Sequence, residues 1–403
     1  MHLSDSTVVR ISTIWVDRLP NAFWLEIETA DGRVGLGETY GLPSTLASYL
    51  HEAVAPYLLG KDASAIERHW WALYRNWGPA GIGIENRALS AVDISLWDLL
   101  GQGAGLPLYT LLGGAVRDGI RAYNTCGGPE YGETLMVPGA DMRGIGDAAR
   151  RYEDLWAQQH EPEQLAESLL EMGITAMKVW PFDPICEENG GRGITADQLH
   201  RGAEPIRRIR AAVGDRMDIA IELHMRWDLA SAIAIARTLE PYEPMWFEDP
   251  MPSEDVDAFG IFARSTRIPT LAGENLGTFG PFGDMITRGG IGIVMADPSY
   301  VGGITPMHRV ADLAGQHLRS FTSHDCSGPV NLAVGTHLAL HAENAVIQEM
   351  VRAFYYGWYD EFVTGQPELT RGVLRPPATP GHGVRLRPAV TGRGDAHVRT
   401  ASA

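Results

Sequence analysis

Cysteine is scarce in this chain: Cys126, Cys186 and Cys326 are the three among 403 residues. They are odd in number, widely separated and without a C-x-x-C pair. That argues against a disulfide framework or a thiolate zinc cage and makes a cytoplasmic location the expectation. Positive charge is also in deficit. Thirty-three Lys and Arg stand against 50 Asp and Glu, a formal net charge of −17, so little is available to neutralise phosphates and a nucleic-acid partner is not expected. No apolar run is long enough to span a bilayer, so no membrane partner is expected. The opening MHLSDSTVVRIS lacks the cationic head and apolar core of a secretory leader.

What is present is an ordinary globular balance, 45% hydrophobic and 21% charged. The length suits one large domain and a smaller one. VVRISTIWV, AFWLEIETA and VGLGETY read as antiparallel strands, with a turn at Asp31-Gly32. Helical patterns follow near 44–59, 63–76 and 84–102. Strands then helices predict an α+β domain over residues 1–119.

From residue 120 the pattern changes to short apolar strands alternating with amphipathic stretches. The strands are IRAYNT, AMKVW, IAIELH, MWFEDP, TLAGEN, IVMADP, SFTSHD and AVIQEM. Eight βα units predict a (β/α)8-type barrel over residues 120–355. The Pro- and Gly-rich segment 356–403 is expected to return to the capping domain, with its tail frayed from about residue 390. Segments 127–160 and 182–194 exceed ordinary barrel loops and read as lids.

Each strand end carries a reactive side chain: Lys178 with Trp180, Glu222 with His224, Glu248, Glu274, Asp297, His324 and Glu349. From Glu222 onward they recur every 23 to 27 residues, the length of a short βα unit, so they converge at the barrel mouth where such sites lie. Three carboxylates from adjacent strands repel unless a cation sits between them. An all-oxygen set suits a hard ion, and Mg²⁺ retains open positions for substrate. Asp297 beside His324 would fix its tautomer and make it a general base. His224 shares a strand face with Glu222; it reads as an acid for a leaving group or as a partner of a carboxylate. Glu349 reads as a substrate-orienting group, a donor if protonated, or a structural partner. GLGETYG contains G-x-G without opening a helix, so a dinucleotide site is not expected.

ENRALSAVDISLWDLLG, FEDP, GEN, ADPSYVGGIT, the His of SHDCSGP and the QE at 348–349 together resemble the enolase superfamily, in its mandelate racemase branch. The resemblance implies a capping domain on a barrel, Mg²⁺ on Glu222, Glu248 and Glu274, and a substrate carboxylate held by the metal while a base removes the adjacent proton. Stabilisation of an enediolate by Mg²⁺, with a Lys or His base, is the general pattern of that superfamily and comes with the resemblance. Self-association is a further implication.

Racemases of the branch carry K-x-K at the second barrel strand. This chain has Lys178-Val179-Trp180, and Trp cannot take a proton, so two-base racemisation is not expected. His224, followed by Met225 and Arg226, resembles acid-sugar dehydratases, which often carry Gly at the position of Met225. The expectation is that His324 abstracts the C2 proton of an aldonate-like acid and His224 assists loss of the C3 hydroxyl. Arg226, Lys178 and Trp180 would then meet the substrate. A one-base epimerase, a cycloisomerase or a non-catalytic acid-sugar binder are the alternatives. Selectivity is expected from Arg18–Asn21, from 77–83, and from Tyr131, Arg143, Tyr152, Cys186 and Arg192.

Overall fold

Three antiparallel strands start the chain: β1 (Val8–Val16), β2 (Ala22–Thr29) and β3 (Val34–Tyr40). They belong to a computed structural model that describes residues 5–76, 83–136 and 150–403. Trp77, the rest of 77–82, and Arg143 lie outside the described residues. Helix Ile84–Ala104 lies across β3 and buries residues on nearly every side. Its approach explains the G-x-G of GLGETYG. A Cβ on Gly35 would stand 2.3 Å from the Ser95 carbonyl oxygen, and one on Gly37 2.0 Å from that of Ala91. The glycines therefore admit a helix rather than a phosphate.

Eight parallel strands then close a barrel: β4 (Ile120–Thr125), β5 (Ala176–Val179), β6 (Asp218–Glu222), β7 (Trp246–Glu248), β8 (Thr270–Ala272), β9 (Ile293–Ala296), β10 (Ser320–Ser323) and β11 (Ala345–Met350). Each pairs with the next, and β11 returns to β4 through Glu349 opposite Tyr123. The (β/α)8 barrel with a capping domain is thus the architecture.

Alternation along these strands places the chemistry. Tyr123, Ala176, Ala220, Trp246, Leu271, Met295 and Ile347 form one buried cluster, the inward side chains of seven strands. Two residues further on, the same face carries Thr125, Lys178, Glu222, Glu248, Gly273, Asp297 and Glu349. An apolar layer therefore lies directly beneath a polar one.

The tail corrects one expectation. Residues Ala396–Ser402 are not frayed; they pair antiparallel with β1, Ile14 opposite Val398 and Ile11 opposite Ala401. The free edge of β1 offers backbone partners that composition alone does not reveal.

The long segments after β4 and β5 contain helices at Pro129–Glu133, Asp154–His160 and Asp183–Asn189. Among the described residues, no helix is long and apolar enough to cross a membrane.

Candidate active site

At the mouth, oxygens of Glu222, Glu248 and Glu274 lie within 4.8 Å of one another. Glu222 and Glu248 are paired across β6 and β7. Glu222 Oε1 accepts the backbone N–H groups of Leu223 and His224, at 3.0 and 2.7 Å. Its Oε2 is buried and accepts no hydrogen bond among the described residues, although Lys178 Nζ stands 3.2 Å away. Trp246 Nε1, one layer below, donates to Glu248 Oε2 at 2.8 Å.

Burial would raise the Glu222 carboxyl, but the charges of His224 and Lys178 win and hold it at about 2. Glu248 is pushed well up, first by burial, with the neighbouring carboxylates adding to it against the pull of Lys178. Three hard oxygens, one with an unmet lone pair and no thiol among them, fit Mg²⁺.

Lys178 is buried and lies 2.5 Å from Glu248 Oε1 and 2.8 Å from Glu349 Oε1. Glu349 also accepts the Asp325 backbone N–H at 2.8 Å and the Thr125 hydroxyl. Burial alone would raise Glu349; Lys178 and His324 outweigh it and hold it below its ordinary value. In this arrangement Glu349 accepts from Lys178, from Thr125 and from the Asp325 N–H. Lys178 on β5 and Glu349 on β11 flank β4, and they become neighbours only when the barrel closes.

His324 Nδ1 is 2.6 Å from Asp297 Oδ2, and its Nε2 is 3.1 Å from Glu274 Oε2. Burial lowers this imidazole, while Glu274, Glu349 and Asp297 raise it further, leaving it well above its usual value. Asp297 is held in turn by the Ser299 N–H on Oδ1, at 2.6 Å. Asn331 ties the group together: its Oδ1 accepts from Ser299, and its Nδ2 donates to the His324 carbonyl. The capping domain reaches the same hub, because Asn331 N–H donates to Glu38 Oε1 at 2.9 Å.

His224 has a partner that sequence reasoning missed. Its Nδ1 lies 2.7 Å from Asp183 Oδ2, and the edge of Trp180 packs on its ring at 4.9 Å between centroids. Burial would lower His224, but Asp183 and then Glu222 raise it above its usual value. Both His224 and Met225 have left-handed backbone, φ 51° and 57°, the conformation glycine adopts without strain.

A cavity of about 850 Å³ opens over these groups. Lys178, Trp180, Asp183, Glu222, His224, Arg226, Glu274 and His324 line it, as do Asn21 and Tyr131. Trp156, Gln159 and His160 of helix Asp154–His160 line it too, and Arg87 from the cap lies over the Tyr300 ring. Trp180 Nε1 is buried without a hydrogen-bond partner among the described residues. Arg226 Nη1 stands 3.4 Å from Glu187 and 3.9 Å from Asp183.

Four expected selectivity residues do not line the cavity. Arg18 is drawn into ion pairs with Glu361 and Glu133. Tyr152 packs on Tyr356 and under Arg352. Cys186 is buried against the Arg226 carbonyl, and Arg192 is exposed. Cys326 does line it as a neutral thiol, its pKa pushed up to about 12 by burial and by Glu349.

Residues 11–113 match the mandelate racemase / muconate lactonizing enzyme N-terminal domain, and residues 161–390 match the enolase C-terminal domain-like family. A D-galactonate dehydratase of Ralstonia nicotianae is 30% identical, over 95% of this chain and 93% of that one. Another, of Pectobacterium atrosepticum, is 31% identical over 94% and 92%. An enolase protein from Sargasso Sea environmental sequencing superposes with TM-score 0.87 at 36% identity, covering 98% of this chain and 99% of the other. An enolase of the mandelate racemase subgroup from Agrobacterium tumefaciens does so with 0.87 at 35% identity and the same coverage. The chain belongs to the mandelate racemase / muconate lactonizing enzyme family of the enolase superfamily.

Proposed function

We propose that this chain is a Mg²⁺-dependent acid-sugar dehydratase that converts an aldonate to a 2-keto-3-deoxy acid. The observation that carries the reading is a pair of imidazoles, His324 and His224. Each has an Asp on Nδ1, and both line one cavity beside three clustered glutamates. Glu222, Glu248 and Glu274 would hold Mg²⁺, whose chemistry when bound is Lewis acidity toward the substrate carboxylate.

His324 takes the C2 proton, with Asp297 holding its tautomer and balancing the imidazolium. The C–H electron pair first moves into the carboxylate as an enediolate, whose C2 can regain a proton through His324; that pair then forms the C2–C3 double bond as the C3–O bond breaks. His224 gives that oxygen a proton, and water leaves. The enol then tautomerises to the 2-keto acid. Glu349, held by Lys178, orients the catalytic layer. Trp180 offers an indole donor to substrate oxygens, and Arg226 contributes charge at the rim.

The relatives named D-galactonate dehydratases supply the first substrate to try. Purified protein with Mg²⁺ is incubated with D-galactonate and other aldonates, and 2-keto-3-deoxy acid is assayed. Its accumulation from at least one aldonate is expected. Conversion only to a C2 epimer or a lactone isomer would show that the reaction is not a dehydration.

A further inference from the structure

We propose that Asp183 is the positioning residue that makes His224 competent in the elimination step; this rests on the dehydratase reading above. His224 sits at the end of β6 on left-handed backbone, so its ring orientation is not fixed by a relaxed main chain. Two contacts hold it instead. Asp183 Oδ2 takes Nδ1 at 2.7 Å, and Trp180 packs edge-on at 4.9 Å with the planes 72° apart. With Nδ1 occupied, Nε2 is the nitrogen left for a ligand in the cavity, which His224 and Asp183 both line.

Both restraining residues come from the segment after β5. Asp183 is anchored little by anything else. Its Oδ1 is buried without a hydrogen-bond partner among the described residues, and the Arg226 guanidinium lies 3.9 Å from Oδ2. The carboxylate is therefore oriented toward the imidazole and not shared with a rigid ion pair. Asp297 stands in the same relation to His324, at 2.6 Å. The structure thus assigns one Asp–His pair to each side of the reaction.

The test separates the two half-reactions in the Mg²⁺-loaded protein. In Asp183→Asn, 2-keto acid formation is expected to fall about 100-fold or more, the range of a lost acid. KM should change little, and exchange of the C2 proton with solvent deuterium should stay within a few-fold. Asp183→Glu should recover part of the dehydration. Parallel loss of exchange and dehydration, or unchanged dehydration, would overturn the assignment.

A second readout does not depend on the reaction. In the ¹H–¹⁵N spectrum of the His224 imidazole the Nδ1–H should be strongly hydrogen-bonded and slow to exchange in the parent, and lose that signature in Asp183→Asn. Should no aldonate be dehydrated, the function falls while this spectrum still tests the clamp. Equal spectra from both proteins would overturn it.

Discussion

The Lys178 ammonium lies 2.8 Å from Glu349 Oε1, joining the second barrel strand to the eighth. It is buried and also touches Glu248 and Glu222. Burial lowers the Lys178 pKa, yet these carboxylates outweigh burial and raise it well above its ordinary value. Lys178 is thus a fixed cation at the floor of the site.

Removing that cation leaves buried carboxylates unpaired. Lys178→Met is expected to cost about 3–5 kcal/mol of stability in chelator. Mg²⁺ should restore part of it, because a bound dication neutralises the same oxygens. Thermal unfolding with and without Mg²⁺ checks this. The Mg²⁺-induced rise should be larger in the variant than in the parent, and an equal rise would contradict it.

Asp297 acts on His324 through one oxygen while the other is held by Ser299. Asp297→Asn should keep the fold and lower kcat by about 10²–10⁴-fold with little change in KM. A rise in KM with kcat intact would place Asp297 in substrate binding instead.

Much of this site could be read from the sequence because barrel geometry repeats at a fixed interval. Glu222, Glu248, Asp297 and Glu349 are inward positions two residues above an apolar layer, and strand alternation makes that visible. Thr125 was missed, although IRAYNT ends at the same height. Asp183 was not legible: it sits in the helical turn after β5, off the strand register, and meets His224 only because the segment folds over the mouth. The charge state of Glu349 and the pairing of the tail with β1 depend on contacts between distant segments. Glu38 and Asn331 were likewise hidden, because the capping domain meets the base-bearing loop only in the assembled fold.

Met225 tests the strain reading. At φ 57° a non-glycine residue costs about 1 kcal/mol. Met225→Gly should therefore raise stability by roughly that much, offset in part by the entropy of the unfolded chain. Urea unfolding measures it, and a clear loss would mean the Met side chain contributes packing that outweighs the strain.

The acid limb of stability should report His337, far from the metal ligands in sequence. It is buried and stacked on Tyr109, with Nε2 at 3.3 Å from the His382 carbonyl. Burial, with the charge of His382, pushes it down to about 3 from 6.5. The folded state therefore refuses a proton that the unfolded chain accepts below pH 6.5. Its contribution is present above that pH and is lost as pH falls toward 3, at about 1.4 kcal/mol per pH unit. His337→Asn should flatten the slope of unfolding free energy between pH 6 and 4 by about that amount. An unchanged slope would contradict it.

The division of labour between the two imidazoles is tested most directly by following deuterium at C2 and 2-keto acid together, in His324→Asn and His224→Asn with Mg²⁺ and a dehydrated aldonate. The account predicts that the first variant loses both signals, whereas the second retains C2 exchange and loses the keto acid. Dehydration at the parental rate in His224→Asn, or undiminished exchange in His324→Asn, would contradict it.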